Sequence, residues 1–418
     1  MEEKQEDQKT AWRLAIGARR FVIALLVGLG LLASPFISLA RAQAQRPKEE
    51  EEEQEEGEEQ EEARESAPAA QAEAPDPHAW KFSGDVRVRY ERTTNQEQGD
   101  IPDRLEPRNR GVGRFRAGAT KKINDMFDFG ARLTSGDPDD PNSTDVTFGD
   151  FADSLTVSLD RLYIALSHQG AFLTGGKFAN PFLTSELVWD GDVNPQGAAG
   201  SYTFSGLESV TPKFTGLYFI VDESTINPDS SMWGAQVEVP IQPSADWTIR
   251  LSGAYYDYTI NSLISADAGD IRGNRLTENG RNYLSDYDLF DVVGLIDYRG
   301  LGARYPFRFH FDYVKNFGNV DHEDGYGFDA FLGPQSSQGD IRYRYGYSQT
   351  YQDAVLAAFS HDNTTYATNY RQHTLTLDYL LYDKLQLNAT YYIYKRLEAG
   401  EGPNDWIARL RLNAVVSW

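Results

Sequence analysis

From residue 80 onward the sequence alternates apolar and polar side chains at a period of two, and this pattern limits the fold more than any other feature. In the segment 85–91, one parity holds Val86, Val88 and Tyr90, whereas the other parity is charged. Successive strand residues point to opposite faces, so the segment predicts a strand with one apolar and one charged face. Similar alternation predicts about sixteen strands, near 80–92, 111–121, 127–136, 155–167, 171–180, 199–206, 213–221, 231–240, 246–260, 288–298, 304–316, 325–332, 340–350, 370–382, 385–397 and 404–418.

The connections between these segments alternate in length. Those after odd-numbered segments are long, at 93–110, 137–154, 181–198, 261–287 and 351–369. Those after even-numbered segments are short, at 122–126, 168–170, 207–212, 241–245, 299–303 and 383–384. The asymmetry is typical of a transmembrane antiparallel β-barrel, because its two rims face different compartments and its sheet must close inside a bilayer. The predicted fold class is all-β, and the alternative is a soluble or surface all-β binding or structural protein of the cell envelope.

Two segments precede the predicted strands. Residues 1–44 combine Arg13, Arg19 and Arg20 with an apolar run at 21–39 and a site of small residues, which is typical of a cleavable signal peptide. An uncleaved inner-membrane anchor is the alternative, because the apolar run is just long enough to span a bilayer. Residues 45–79 are acidic and then rich in Ala and Pro, which predicts a disordered periplasmic segment. The barrel is therefore expected over 80–418.

The composition excludes several classes of function. The 418 residues contain no Cys and 6 His, and their formal net charge is −23. Without Cys there are no disulfides, thiolate metal sites or thiol nucleophiles, and the His residues show no spacing typical of a catalytic triad or a zinc site. We therefore predict no enzymatic activity and no cofactor. The acidic charge argues against a nucleic-acid partner.

The end of the sequence carries a candidate assembly signal. Leu410, Leu412 and Val416 share one parity with the last residue, Trp418, and the other parity is polar. An amphipathic final strand that ends on an aromatic residue resembles the terminal strand of bacterial outer-membrane barrels. This resemblance implies recognition by the barrel-assembly machinery.

Two short stretches carry a family resemblance. Residues 176–182 read Gly-Lys-Phe-Ala-Asn-Pro-Phe, and residues 353–359 read Asp-Ala-Val-Leu-Ala-Ala-Phe. Both resemble elements of the bacterial putative-porin family, which is related to general outer-membrane porins. The resemblance implies a sixteen-stranded barrel in the bacterial outer membrane, in contact with lipid and lipopolysaccharide and assembled as a homotrimer. It also implies a water-filled channel for passive diffusion of small hydrophilic solutes and ions.

The inward parity of the predicted strands is rich in arginine. A charge at the lipid-facing midplane costs about 2 to 4 kcal/mol, so these side chains are expected to face the lumen. Two interpretations stay open for each of them, a role in lining the pore and a structural salt bridge along the wall. The predicted pore-lining residues are Arg87, Arg89, Arg114, Arg116, Arg161, Arg250, Arg342, Arg344, Arg409 and Arg411.

The connection that follows Asn180, Pro181 and Phe182 is the candidate pore constriction. Here Glu186, Asp190 and Asp192 surround the apolar residues 187–189. If the loop folds inward, its carboxylates face the wall arginines and create a transverse field, which orients dipolar solutes. The alternative is an ordinary exposed loop.

One predicted outer loop is a candidate weak calcium site. Asp137, Asp139, Asp140 and Asp145 offer the hard oxygen ligands that calcium prefers. The loop lacks the residue order of an EF-hand, and a solvated loop rich in turns is the alternative.

Overall fold

The computed structural model describes residues 78–94, 107–149, 154–205, 210–266, 268–319, 323–398 and 404–418, together with the single residues 76, 152 and 321. The predicted signal peptide at 1–44 lies outside the described residues, as does the predicted acidic segment 45–79 apart from residues 76, 78 and 79. In the described part of the chain, no helix is long and apolar enough to cross a membrane.

The described residues form one antiparallel sheet that closes into a barrel of sixteen strands with one additional two-residue strand. Each long strand pairs with its neighbours along the chain, and the first strand pairs with the last. The predicted sixteen-stranded transmembrane barrel is thereby confirmed. The strands are β1 (Lys81–Thr94), β2 (Arg108–Lys122), β3 (Phe127–Ser135), β4 (Val146–Thr147), β5 (Val157–His168), β6 (Ala171–Lys177), β7 (Gln196–Thr203), β8 (Lys213–Asp222), β9 (Ser230–Ser244), β10 (Trp247–Thr259), β11 (Tyr287–Tyr298), β12 (Phe307–Asn316), β13 (Asp324–Leu332), β14 (Ile341–Thr350), β15 (Tyr370–Tyr382), β16 (Leu385–Arg396) and β17 (Ile407–Ser417).

The last residues close the barrel. Along β1 and β17 the register pairs Val86 with Val416 and Tyr90 with Leu412. Beyond the end of β17, the backbone N–H of Trp418 donates to the carbonyl of Gly84 at 3.1 Å, and the N–H of Gly84 donates back at 3.2 Å. The closing seam therefore has no unpaired strand edge, which a bilayer would not tolerate.

The alternation of side chains matches the two faces of the wall. On β1, Val88 is 55% exposed on the outer face, whereas its inward neighbours Arg89 and Glu91 are 6% and 2% exposed. The apolar parity thus faces outward and the charged parity faces the lumen, which is the reverse of a soluble barrel with an apolar core. Because the outer face consists of apolar and aromatic side chains, it suits a hydrocarbon environment.

The two rims differ as the connection lengths predict. The short connections include the turns at 169–170 and 383–384. The opposite rim, called here the long-loop rim, carries the connections 136–145, 178–195, 260–286 and 351–369, and a single helical turn, α1 (Ala268–Ile271), lies in the third of these. The two-residue β4 pairs with β2, where Val112 lies opposite Thr147.

The largest apolar cluster among the described residues lies inside the barrel. It combines inward side chains of β7 to β12 with residues from two of the long connections, 178–195 and 351–369. Aliphatic and aromatic groups packed in this way are removed from water, which stabilises the inward position of both connections. The two connections therefore belong to the interior of the molecule.

Candidate pore constriction

The connection 178–195, between β6 and β7, folds into the lumen and is named here the constriction loop. Gln236 on β9 anchors its backbone, accepting from the N–H of Leu183 at 2.7 Å and donating to its carbonyl at 2.8 Å. Nearer the other end of the loop, Arg161 of β5 donates to the side-chain oxygen of Asn194 at 2.6 Å. Ser185 donates to Asp312 on β12. Hydrogen bonds to three separate parts of the wall thus hold the loop across the lumen.

Trp189 is the apolar centre of the constriction loop. Its side chain is 1% exposed and packs on Phe219, Tyr256, Tyr258 and Phe359, with ring centroids between 5.7 and 6.4 Å from its own. Aromatic pairs in such geometries contribute about 0.5 to 1.5 kcal/mol beyond the area that they bury. The loop is therefore fixed by packing as well as by hydrogen bonds.

The connection 351–369, between β14 and β15, also folds inward and is named here the second inward loop. Residues 353–359, which include the apolar run of the putative-porin resemblance, are all buried. Asn274 holds this run, because its side chain donates to the carbonyls of Gln352 and Val355 at 2.9 Å and accepts from the N–H of Ala357 at 2.8 Å. Sequence reasoning missed this loop as part of the lumen, although a run of Ala, Val, Leu and Phe in a long connection signals burial.

Asp353 is a buried anchor of the second inward loop. It accepts hydrogen bonds from the backbone and the guanidinium of Arg275 and from the hydroxyl of Ser285, at 2.6 to 2.9 Å. Its own carbonyl accepts from the side chain of Asn316 on β12 at 2.8 Å. Because a buried carboxylate is costly unless it is paired and hydrogen-bonded, these partners fix the conformation of the loop.

The two inward loops are joined to each other. The backbone N–H of Asp190 donates to the carbonyl of Phe359 at 2.7 Å, and that of His361 donates to the carbonyl of Glu186 at 3.2 Å. The side chain of Asn363 donates to Glu186 at 2.7 Å. The loops therefore form one obstruction across the lumen.

The three predicted constriction residues occupy three different environments. The side chain of Glu186 is exposed to the lumen, but the surrounding protein displaces bulk water, and this desolvation raises the pKa of its carboxyl group. Asp190 is buried where the two loops meet, and burial raises its pKa well above the usual value, with further contributions from Asp362 and Glu186. Asp192 accepts from Arg116 at 2.9 Å and from Thr144 at 2.8 Å. The loop is inward, but only the carboxylate of Asp192 is held against a predicted pore-lining arginine by an ion pair.

Most of the predicted pore-lining arginines point inward and are held by carboxylates. Arg116 joins two of them, because it binds Asp85 at 2.6 Å as well as Asp192. Arg161 differs from these, since the hydrogen bond described above joins it to the amide of Asn194. The ion pairs are Arg87 and Arg89 with Asp145, Arg114 and Arg116 with Asp85, Arg250 with Glu238, Arg342 with Asp378, Arg344 with Asp329, and Arg409 and Arg411 with Glu91.

Glu91 lies at the centre of the most buried of these networks. Its carboxylate accepts from Arg110 and Arg411 at 2.7 Å, and Arg409 lies 3.6 Å away. Asn363 of the second inward loop completes the network, since its carbonyl accepts from Arg409 at 2.9 Å and its side-chain oxygen accepts from Arg411 at 2.8 Å. The arginines of β17 are therefore covered by this loop.

Among the described residues, an outer and an inner cavity border the joined loops. The outer cavity, of about 480 Å³, lies at the long-loop rim and includes Lys177 in its lining. The inner cavity, of about 300 Å³, lies between the segment 184–191 and strands β12 to β15. Of the ten predicted pore-lining arginines, only Arg344 lines either cavity. The aspartates that line the outer cavity are Asp137, Asp139, Asp140, Asp160, Asp192, Asp222 and Asp270.

The candidate calcium loop is divided by the fold. Asp145 turns into the barrel and pairs with Arg87 and Arg89, whereas Asp137, Asp139 and Asp140 stay at the outer cavity. Among the residues that the structure describes, no group of three or more acidic or histidine side chains is arranged to hold a metal ion. Burial raises the pKa of Asp140 to about 6, although the positive charge of Arg272 opposes the shift.

Comparison with known proteins supports the assignment of the barrel. A family model described as "Putative porin" matches residues 92–279, which include the constriction loop. No curated protein gave a significant match to the chain. The predicted resemblance to the putative-porin family is confirmed by this family match.

Two solved structures share the fold at low identity. The high-pH structure of OprB from Pseudomonas putida is 11% identical, with a TM-score of 0.54, and the match covers 82% of this chain and 94% of that chain. OmpF from Salmonella typhi, solved with daunomycin, is 10% identical, with a TM-score of 0.50 and coverages of 82% and 99%. At these identities the likeness is one of fold. The closed barrel and the family match together identify the chain as a porin-type β-barrel of the bacterial outer membrane, similar to the putative-porin family across residues 92–279.

Proposed function

We propose that the chain forms a water-filled channel through which small hydrophilic solutes and ions diffuse passively. The observation that carries this proposal is the inward position of the constriction loop and the second inward loop, which narrow the lumen but leave the outer and inner cavities. A barrel of sixteen strands is wide enough for an aqueous channel unless something folds inside it. The two loops would therefore set the size limit of the channel.

Liposome swelling tests this proposal. Purified protein in liposomes should admit small neutral solutes faster than large ones, with a cutoff set by the two inward loops. Liposomes that contain the boiled, unfolded protein provide the control. If liposomes that contain the folded barrel swell equally slowly in small and in large solutes, the proposal is contradicted.

We also propose that the chain assembles as a homotrimer through the part of the wall formed by β6, β7 and β8. The strands β6 and β7 have 7 and 8 residues, whereas β2 and β9 have 15. At about 3.4 Å per residue and a tilt of about 45°, seven residues rise roughly 17 Å. This height is below the apolar band of about 25 Å that a barrel presents to lipid. A second copy of the chain against this face would cover the mismatch.

The outer surface of this short wall allows close contact. Gly200 and Gly216 lie directly opposite each other on β7 and β8, and Gly216 lies opposite Ala235 on β9. Larger side chains, Leu173 and Trp233, border this row of small residues. Small residues let two walls approach closely inside a membrane, so a second barrel fits this surface better than lipid chains do.

A single substitution tests the trimer face. A Cβ atom added at Gly216 would meet no other atom within 4 Å, and the residue is exposed on the outer face, so Gly216→Leu should leave the monomer folded and obstruct the contact between copies. We expect chemical crosslinking to yield trimers for the original protein and monomers for this variant. The control is Ala414→Leu on the outer face of β17, which should still form trimers. Trimers of Gly216→Leu would contradict the choice of this face.

We further propose that lipid and lipopolysaccharide surround the rest of the outer wall and that the barrel-assembly machinery recognises β17. The outward side chains Leu412, Val416 and Trp418 support this role, because they are 40%, 44% and 45% exposed on the outer face. Leu410 has the same parity and points to the same side.

A further inference from the structure

We infer that the channel favours small cations over anions, because the outer and inner cavities present carboxylates whereas most of the arginines are paired in the wall. This inference rests on the proposed function as a diffusion channel and adds the class of solute. The arginine-rich inward parity contributes little charge to these cavities, because only Arg344 of the ten predicted pore-lining arginines lines either of them.

The outer cavity is strongly acidic. Seven aspartates and one lysine are the charged side chains in its lining. Asp160 is paired with Arg132 and Asp192 with Arg116, so the acidic charge of the cavity comes from the other aspartates. Asp139 and Asp140 lie on the connection after β3 at the long-loop rim, where a solute enters. A cleft lined by one sign of charge raises the local concentration of the opposite ion, and low-dielectric walls strengthen the effect. Cations should therefore accumulate at this entrance.

The inner cavity continues the same sign of charge. Glu186, Asp312 and Asp329 line it, together with one cation, Arg344. Arg344 binds Asp329 with two hydrogen bonds, at 2.7 and 2.9 Å, so this pair is neutral as a unit. The carboxyl groups of Glu186 and Asp312 have no ion-pair partner among the described residues. Desolvation raises the pKa of Glu186, and a cation in the cavity opposes this shift because it favours the ionised carboxylate.

Most arginines of the wall bind carboxylates that line neither cavity. Arg87, Arg89, Arg114 and Arg116 are bound to Asp85, Asp145 or Asp192, and none of the four lines either cavity. Arg409 and Arg411 are likewise bound to Glu91 and covered by the second inward loop. A charge paired at hydrogen-bond distance exerts a much weaker field on a third ion than a single charge does.

The inner cavity also contains oxygen atoms that can accept a hydrogen bond from a solute. Gln372 lines this cavity, and its buried side-chain oxygen has no hydrogen-bond partner among the described residues. Its side-chain nitrogen is already used, because it donates to Thr374 at 3.1 Å. On Glu186, the side chain of Asn363 donates to Oε2, and the hydrogen bonds of the described residues include no donor to Oε1. An ammonium group or a hydrated metal ion supplies the donors that these oxygens lack, whereas an anion supplies none.

Reversal potentials in planar bilayers test the inference with potassium chloride as the probe. Under a salt gradient, the protein should show a potassium-to-chloride permeability ratio above one. The combined variant Asp139→Asn, Asp140→Asn and Glu186→Gln should lower this ratio by at least about twofold, because it removes charge from both cavities. Heat-dependent migration on SDS gels would verify that the variant barrel is folded.

A matched variant removes the same amount of charge elsewhere. Asp125→Asn, Asp246→Asn and Asp383→Asn alter exposed residues of short turns that line neither cavity, and the permeability ratio should stay unchanged. A ratio below one in the original protein, or an equal effect of the matched variant, would overturn the inference while leaving the channel intact. Absence of any conductance would contradict the proposed function itself, and with it the inference.

Discussion

The indole of Trp189 stacks on the ring of Phe359 with ring centroids 5.7 Å apart and an interplanar angle of 16°. The first residue lies in the constriction loop and the second in the second inward loop. The ring of Phe359 also stacks on Tyr258 of β10, with ring centroids 6.1 Å apart. The wall and both inward loops therefore meet in one aromatic cluster. The obstruction of the lumen therefore depends on a contact between two segments that are distant in sequence.

Replacing this indole should loosen the obstruction and leave the barrel wall intact. We expect Trp189→Ala to destabilise the folded protein by about 3 to 5 kcal/mol, the range for large aromatic side chains truncated in a core. The unfolding free energy in lipid vesicles, followed through urea titration, measures this effect. Single-channel current should also become noisier, because the loops lose their common packing centre.

Trp233→Ala is the control for this prediction. Trp233 lies on β9, the strand next to β10, but it is 63% exposed on the outer face. Its truncation should leave the current noise unchanged. Equal noise in the two variants would show that the aromatic cluster does not hold the loops.

The network around Glu91 predicts a large effect from one neutral substitution. Glu91→Gln should destabilise the barrel by about 3 to 5 kcal/mol, because it leaves Arg110, Arg409 and Arg411 with an uncompensated buried charge. The urea midpoint of unfolding in vesicles measures the loss. A change below about 1 kcal/mol would show that the neighbouring groups of the second inward loop suffice to hold these arginines.

An exposed ion pair serves as the comparison. Arg308 and Asp297 pair across β11 and β12, and half of the Arg308 side chain is exposed. Asp297→Asn should therefore cost no more than about 1 kcal/mol, the usual range for surface pairs. A larger loss of unfolding free energy in Glu91→Gln than in Asp297→Asn would show that the loss depends on burial of the ion pair and not on pairing alone.

The second inward loop should weaken in acid. Burial lowers the pKa of His361 to about 3, and the positive charges of Arg272, Arg411 and Arg409 add to the shift. The unfolded chain takes up this proton near pH 6.5, so the stability contributed by the neutral imidazole is present above pH 6.5 and is lost as the pH falls towards 3. Unfolding free energies measured between pH 7 and pH 3 should show this decline.

His361→Phe isolates the contribution of this group. Both ring nitrogens of His361 lack partners among the described residues, and the ring packs edge-to-face on Tyr370, so a phenyl ring fits the same environment. The variant should be at least as stable at pH 7 and should lose less stability on acidification. An unchanged pH profile would assign the acid sensitivity to the carboxylates of the lumen.

The strand pattern was predictable because both faces of the wall have a constant environment. The period of two placed β15 at 370–382, which agrees with Tyr370–Tyr382. For β7 the predicted segment 199–206 begins later than Gln196–Thr203, because Gly197 and Ala198 carry no clear apolar or polar signal. Hydrophobic alternation therefore predicts the number and order of strands well, and strand ends less well where small residues prevail.

The interior of the lumen was less predictable, since it depends on contacts between segments distant in sequence. An inward position of the 178–195 connection was predicted from its residues, but the partner of Trp189 is Phe359 of a different loop. Likewise, Asp145 looked like an outer-loop ligand until the register brought it beside Arg87 and Arg89. Charge pairing of this kind follows from barrel closure and is not visible in local sequence patterns.

The role of β17 in assembly gives a separate prediction. Deletion of Trp418, or replacement of Leu410, Leu412 and Val416 with Ser, should reduce insertion into the outer membrane, because each change removes apolar side chains from the outward face of β17. Membrane fractionation and the fraction of heat-modifiable protein measure this. The control Ser417→Thr changes a polar residue of the same strand. Normal insertion of the Ser variant would show that recognition depends on another segment.

The most direct test of the account is the single-channel conductance of a variant in which residues 184–191 are replaced by two glycines. This change removes Glu186 and Trp189 but keeps the anchors Asp192 and Asn194 and every strand of the barrel. If the joined loops narrow a water-filled lumen, the variant should fold and conduct a larger current per channel than the original protein, with a larger size limit for solutes. A folded variant with the same conductance as the original protein would contradict the account.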